Sequence, residues 1–275
     1  MPADNAKLAR REVIVFLILA FGLSSIFYYL SATTTLHSDL LLFTLLLMWC
    51  PATAAIITRL YFQKNLKGFG FGWGETKWQL AGILMPILLG LIMFGLVWLT
   101  MGVFSPEGAA SVLSFAFLPA LAAGLAFNLF ATFGEELGWR GLLVPEMSKF
   151  MGFTKLALLS SAIWAVWHFP LIIFGHYHGV GPLWYSLLIF TPAVIGIGVV
   201  LAWLRLKSGS LWPAVFFHGV WNYFIQQFYP MLTVETEATQ LITGEFGWAC
   251  PAMLVVLGLI FWHYRDRLPK AIRRG

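Results

Sequence analysis

The sequence predicts an all-α fold, a polytopic integral membrane bundle of about eight transmembrane helices. Three observations predict it: an apolar composition, a series of apolar runs of spanning length, and basic residues confined to alternate connections. Of the 275 residues, 60% are hydrophobic and 11% are charged, with a mean hydropathy of +0.82. Soluble domains carry roughly a quarter charged residues, so this balance belongs to a bilayer. The 13 Trp fit membrane interfaces, where amphipathic rings settle.

The apolar runs lie at roughly 12–31, 40–62, 79–102, 113–134, 154–175, 183–205, 210–230 and 247–264, and each can cross a bilayer as a helix. The first follows Lys7, Arg10 and Arg11 and so begins like a signal peptide. It continues to about Leu30, too long for a signal core, and no small-x-small cleavage site follows. It reads as an uncleaved first span. Cys50 and Cys250 fall in apolar runs without the spacing of a metal site or a disulfide framework. The fourth run ends in charged residues, the fifth holds His168, and the seventh holds His218 and Asn222. No internal repeat or linker divides the chain, so residues 1–275 read as a single membrane domain.

The connections near 32–39, 103–112, 176–182 and 231–246 contain no Lys or Arg. The basic residues lie in the tails, the other connections and nearby span ends, as with Lys64, Lys67, Lys77, Lys149, Lys155, Arg205 and Lys207. By the positive-inside rule this alternation places both termini in the cytoplasm of a multi-pass protein of the cell (inner) membrane. The net charge of +5 follows topology, and nucleic acid is not expected as a partner.

An ionisable group inside a span is costly, at about 2.5–3.5 kcal/mol on insertion scales, and marks a functional position. Three clusters qualify: Phe133-Gly134-Glu135-Glu136-Leu137-Gly138-Trp139-Arg140, Trp164-x-x-x-His168-Phe169-Pro170, and His218-Gly219-Val220-Trp221-Asn222. Glu136 and Arg140 are four apart, so on a helix they can pair. Glu135 is turned by roughly 100° from Glu136 and is free to point into the bundle. His218 and Asn222 share one helix face. His176 and His178 read as solvated loop residues, and Trp139, Trp164, Trp167 and Trp221 read mostly as packing. Singly, each polar residue could be interfacial charge or interhelical glue. Together, two carboxylates, an Arg, two His and an Asn make an acid/base and oxyanion set.

The order Glu-Glu-x-x-x-Arg, aromatic-x-x-x-His, His-x-x-x-Asn, each in its own span, resembles the CPBP family of intramembrane endopeptidases. That family comprises the type II CAAX prenyl endopeptidases and the bacteriocin-processing and immunity (Abi) proteins. Here the motifs read Glu135-Glu136-x-x-x-Arg140, Trp164-x-x-x-His168 and His218-x-x-x-Asn222 within a 127–224 core. The family usually has Phe where this chain has Trp164, a departure expected to matter little. The resemblance implies an eight-helix fold around a conical cavity facing the cytosol. It also implies hydrolysis of a peptide bond in a membrane-associated or lipid-anchored substrate. The implied catalytic set is Glu135, Glu136, Arg140, His168, His218 and Asn222. In it Glu135 and His168 activate water, and His218 and Asn222 stabilise the oxyanion. No cofactor is expected. The alternative is Zn²⁺ held by Glu135, His168 and His218, although the chain lacks His-Glu-x-x-His.

One geometric demand follows. Glu135 sits at the inner end of its run, whereas His168 lies 13 residues beyond Lys155, about 20 Å along a helix. The two can meet if the fourth span stops within the bilayer and 137–151 returns as an amphipathic or re-entrant helix. Competing classes fit less well. A proton-coupled transporter would show repeated halves, and Thr191-Pro192 has no counterpart in the first half. A haem protein using His168 and His218 leaves the Glu pair and Asn222 without a role. A non-catalytic immunity or scaffold protein of the same fold would not need every motif position filled.

Overall fold

The computed structural model describes residues 3–175 and 177–269; His176 and the last basic residues Lys270, Arg273 and Arg274 lie outside them. Among the described residues the chain is helical, without strands. The order is α1 (Ala3–Thr33), α2 (His37–Gln63), α3 (Thr76–Met101), α4 (Pro106–Val112), α5 (Phe117–Met147), α6 (Phe153–Phe174), α7 (Leu183–Ser208), α8 (Trp212–Tyr223), α9 (Glu237–Ile242) and α10 (Ala249–His263). A π-helical turn (Phe224–Phe228) and a short turn (Tyr229–Met231) prolong α8.

Among the described residues six helices, α1, α2, α3, α5, α6 and α7, are long and apolar enough to cross a membrane. The last two expected spans are shorter. The seventh is interrupted by its π turn, and α10 has 15 residues, about 22 Å of helix against a hydrocarbon core of about 30 Å. In α7, 72% of the most apolar stretch is buried, against 17% in α1. Helix α7 is therefore the centre of the bundle, packed on α6 and α10, and α1 is peripheral, packed mainly on α2.

The fourth span differs most from expectation. It does not stop near residue 134, and 137–151 is neither re-entrant nor amphipathic. Instead α5 runs for 31 residues to Met147, passing through a π-helical turn at Leu137–Leu143. The extension can be buried because its charges are paired. Arg140 meets Glu136 at 2.7 Å, and Glu146 meets Arg59 at 3.0 Å and Lys149 at 2.6 Å. Glu135 thus lies about 18 Å from the end of α5, and His168 about 22 Å from the start of the antiparallel α6. The two helices present them at similar depth.

Small residues let α5 approach its neighbours. A Cβ on Gly134 would sit 2.8 Å from the Met48 carbonyl oxygen, and one on Gly138 2.8 Å from that of Pro51. This small-x-x-x-small pair brings α5 onto α2 at the level of the glutamates.

Candidate active site

The site is assembled from α5, α6 and α8, with Glu136 at its hub. Its Oε1 accepts from Arg140 Nη1 at 2.7 Å and from His218 Nδ1 at 2.9 Å. The first contact is the i, i+4 pair that the spacing predicts. The second joins α5 to α8 across 82 residues of sequence. The Arg140 guanidinium also lies 4.1 Å from the centre of the Trp164 ring, a cation–π contact with α6.

Glu135 faces elsewhere. Its Oε2 accepts from Trp164 Nε1 at 2.8 Å. Trp164 is therefore more than packing, because a Phe at that position could not donate. His168 Nδ1 lies 2.8 Å from the Trp164 carbonyl oxygen. A carbonyl only accepts, so Nδ1 carries the proton, and in the neutral ring Nε2 has the free lone pair. The Trp164 ring packs edge-on against both His168 and His218.

Glu135, His168, His218 and Asn222 line one cavity of about 370 Å³, together with Trp164 and Tyr177. Asn222 makes no side-chain hydrogen bond among the described residues, so it does not act as interhelical glue, and its amide lines the cavity. Glu136 and Arg140 are buried behind the cavity and do not line it. The six residues are thus brought together in two groups, four at the cavity and two supporting them. His178, on the far connection, is exposed as expected.

The cavity lies towards one end of the bundle. Its lining includes Ser31 at the end of α1, Leu40 at the start of α2, Tyr177, and Glu245 just before α10. All four lie at the end of the bundle whose connections lack Lys and Arg.

Arg205 is a supporting residue that the sequence reading counted only as a marker of topology. In the π turn, Val144 N–H donates to the Trp139 carbonyl, five residues back. In the same five-residue pattern the Arg140 carbonyl would pair with residue 145, which is Pro145 and has no N–H. Arg205 Nε from α7 supplies the donor at 2.9 Å, and its Nη2 reaches the Gly68 carbonyl at 2.9 Å. A buried guanidinium thus clamps the turn that carries Arg140. Tyr177 and Glu245 were also missed, since both lie in connections. The Tyr177 hydroxyl donates to Glu245 Oε2. Burial, then the neighbouring Glu245 carboxylate, push this phenol well above its usual range, so it remains a donor.

Zinc would need three ligating side chains at one point. Among the described residues no three His, Cys, Asp or Glu side chains are grouped in that way, so the groups as placed do not fit a metal centre.

The fold and site define a polytopic helical membrane protein with a buried cluster of acid/base groups facing a cavity. Residues 116–224 match the family described as "Type II CAAX prenyl endopeptidase Rce1-like". Over that segment the chain is similar to this family of CAAX endopeptidases. It is also 33% identical over 147 residues to CAAX prenyl protease 2 of Methanococcus maripaludis. That similarity covers 52% of this chain and 51% of the relative, so the chain spans about half the length of the curated relative it matches.

Proposed function

We propose that the chain is an intramembrane endopeptidase that hydrolyses a peptide bond in a membrane-associated or lipid-anchored substrate. One observation carries the reading: Glu135, His168, His218 and Asn222, from three helices, line a single cavity. Peptide hydrolysis needs a base for water, a proton for the leaving amine and donors for the tetrahedral oxyanion. Glu135 and the His168 Nε2 lone pair are the proton acceptors. They take a proton from water as it attacks the carbonyl carbon and return it to the amine as the C–N bond breaks. The Asn222 amide supplies an oxyanion donor, and His218, whose Nδ1 proton is given to Glu136, supplies a second from Nε2 as an imidazolium. Glu136 and Arg140 position rather than react, since they orient His218 and Trp164 from behind the cavity.

The family's name and that of the relative point to prenylated CAAX tails as the substrate class. The basic residues support a multi-pass protein with both termini in the cytoplasm, in the cell membrane. No metal step enters this mechanism. The test compares membrane-associated proteins from cells making the intact chain with those from cells making Glu135→Ala. A species that lengthens in the variant, and shortens on restoring the intact chain, supports the proposal. Unchanged termini throughout, with the intact chain present at normal level, would overturn it.

A further inference from the structure

Beyond Asn222, the α8 segment carries a further amide that the proposed mechanism does not use. His218, Asn222 and Gln226 are spaced four apart, and all three line the cavity that holds Glu135 and His168. In an ideal α-helix each four-residue step turns the face by about 40°, which would carry Gln226 about 80° away from His218. The π-helical turn Phe224–Phe228 intervenes. Its wider winding, closed by i→i+5 bonds, turns less per residue and takes back part of that drift. Gln226 is exposed, and its side chain makes no hydrogen bond among the described residues. It also lines an adjoining cavity of about 460 Å³, so the polar ladder runs on from one space into the next. Gln227, the following residue, lines neither cavity.

A peptide drawn into the cavity leaves water and needs partners for its own N–H and C=O groups. In an extended chain, alternate carbonyls point the same way and lie about 6.6 Å apart. Four residues of helix rise about 6 Å, so successive rungs of the ladder match alternate residues of an extended substrate. His218 and Asn222 act at the scissile carbonyl in the mechanism above, and Gln226 stands one rung further on. Resting on the endopeptidase reading, we infer that Gln226 binds the substrate backbone two residues from the scissile bond. Its Nε2 donates to the carbonyl there, and its Oε1 accepts an N–H of the same stretch. A bond to the backbone reads no side chain, so Gln226 sets the register of the chain and leaves sequence preference to the apolar wall. The contact is the same before and during reaction, so it acts on substrate binding and not on the chemical step.

The experiment uses detergent-purified protein and a fluorescent prenylated peptide ending in a CAAX sequence. Gln226→Leu keeps the size of the side chain and removes both hydrogen-bonding groups, Gln226→Asn keeps an amide, and Gln227→Leu is the control at an exposed neighbour. In hydrolysis, Gln226→Leu should raise KM about fivefold to tenfold, one hydrogen bond's worth, with kcat little changed. Gln226→Asn should recover part of that loss, and Gln227→Leu should match the parent. Binding is measured separately in the Glu135→Gln protein, which leaves the peptide whole. There the backbone amides of the peptide are replaced one at a time by esters, which accept weakly and lack the N–H. One ester, two residues from the scissile bond, should weaken binding, and the same ester should make no difference in Glu135→Gln, Gln226→Leu, the signature of a direct contact. The inference is overturned if Gln226→Leu leaves KM and binding unchanged, if it lowers kcat alone, if every ester costs the same with and without Gln226→Leu, or if the peptide does not bind. The binding measurements are readable whether or not the peptide is cleaved, so failure of this contact and failure of the endopeptidase reading are distinguishable.

Discussion

Glu136→Gln isolates the hub of the site. The substitution keeps shape and removes the charge that Arg140 and His218 share through one oxygen. The Glu136 and Arg140 side chains are 0% and 3% exposed, so water cannot replace the lost partner. Breaking a buried ion pair from one side costs about 3–5 kcal/mol. Two features reduce the loss here. The amide carbonyl still accepts one hydrogen bond, worth about 1 kcal/mol, and Arg140 keeps its contact with the Trp164 ring. The expected destabilisation is about 3 kcal/mol, the low end of that range, or roughly a hundredfold in the folding equilibrium. Unfolding of the purified protein in mixed micelles, followed by circular dichroism, measures it. Replacing Glu136 and Arg140 together by Leu should cost less than the sum of the two single replacements, because neither charge is then left alone. A Glu136→Gln protein within about 0.5 kcal/mol of the parent, the range of ordinary surface changes, would refute the hub.

Trp164→Phe keeps the ring and deletes the donor to Glu135, so hydrolysis should slow by about fivefold to tenfold, one hydrogen bond's worth, with stability changed less than in Glu136→Gln. An unaltered rate would return Trp164 to a packing role. Arg205→Leu leaves the Arg140 and Gly68 carbonyls without their donor and should destabilise the fold by about 1–3 kcal/mol. Arg205→Lys should recover part of that loss, and equal effects of the two would remove the clamp. Exhaustive chelation of detergent-purified protein should leave hydrolysis intact. Loss of activity restored by stoichiometric Zn²⁺ would instead make Glu135, His168 and His218 ligands.

Much of the site was legible because helical spacing makes neighbours of residues four apart. Glu136 with Arg140, and His218 with Asn222, follow from 3.6 residues per turn once the spans are drawn. The different directions of Glu135 and Glu136 follow in the same way. The His218–Glu136 contact was not legible, since it depends on how α8 lies against α5. The end of the fourth span was misplaced because hydropathy treats Glu135, Glu136, Arg140 and Glu146 as charges seeking water. In the fold, Arg140 pairs with Glu136 and Arg59 with Glu146 inside the bundle. Arg205 looked like one more basic residue at a span end. Its signal was indirect, a proline placed where a π turn leaves a carbonyl without a donor. Trp164 carried a plainer signal, an indole N–H where the family has a ring with no donor.

The central claim is that Glu135 takes a proton from water in the cavity, and one substitution tests it most directly. Glu135→Gln preserves the shape of the side chain and an oxygen that can accept from Trp164, but removes the base. The measurement is turnover of an identified membrane substrate in proteoliposomes, with the unfolding midpoint of the same preparation recorded alongside. The account predicts a rate lower by at least about 100-fold, the low end for general acid–base catalysis, in a protein that unfolds close to the parent's midpoint. Near-parental turnover by a folded Glu135→Gln protein would contradict it.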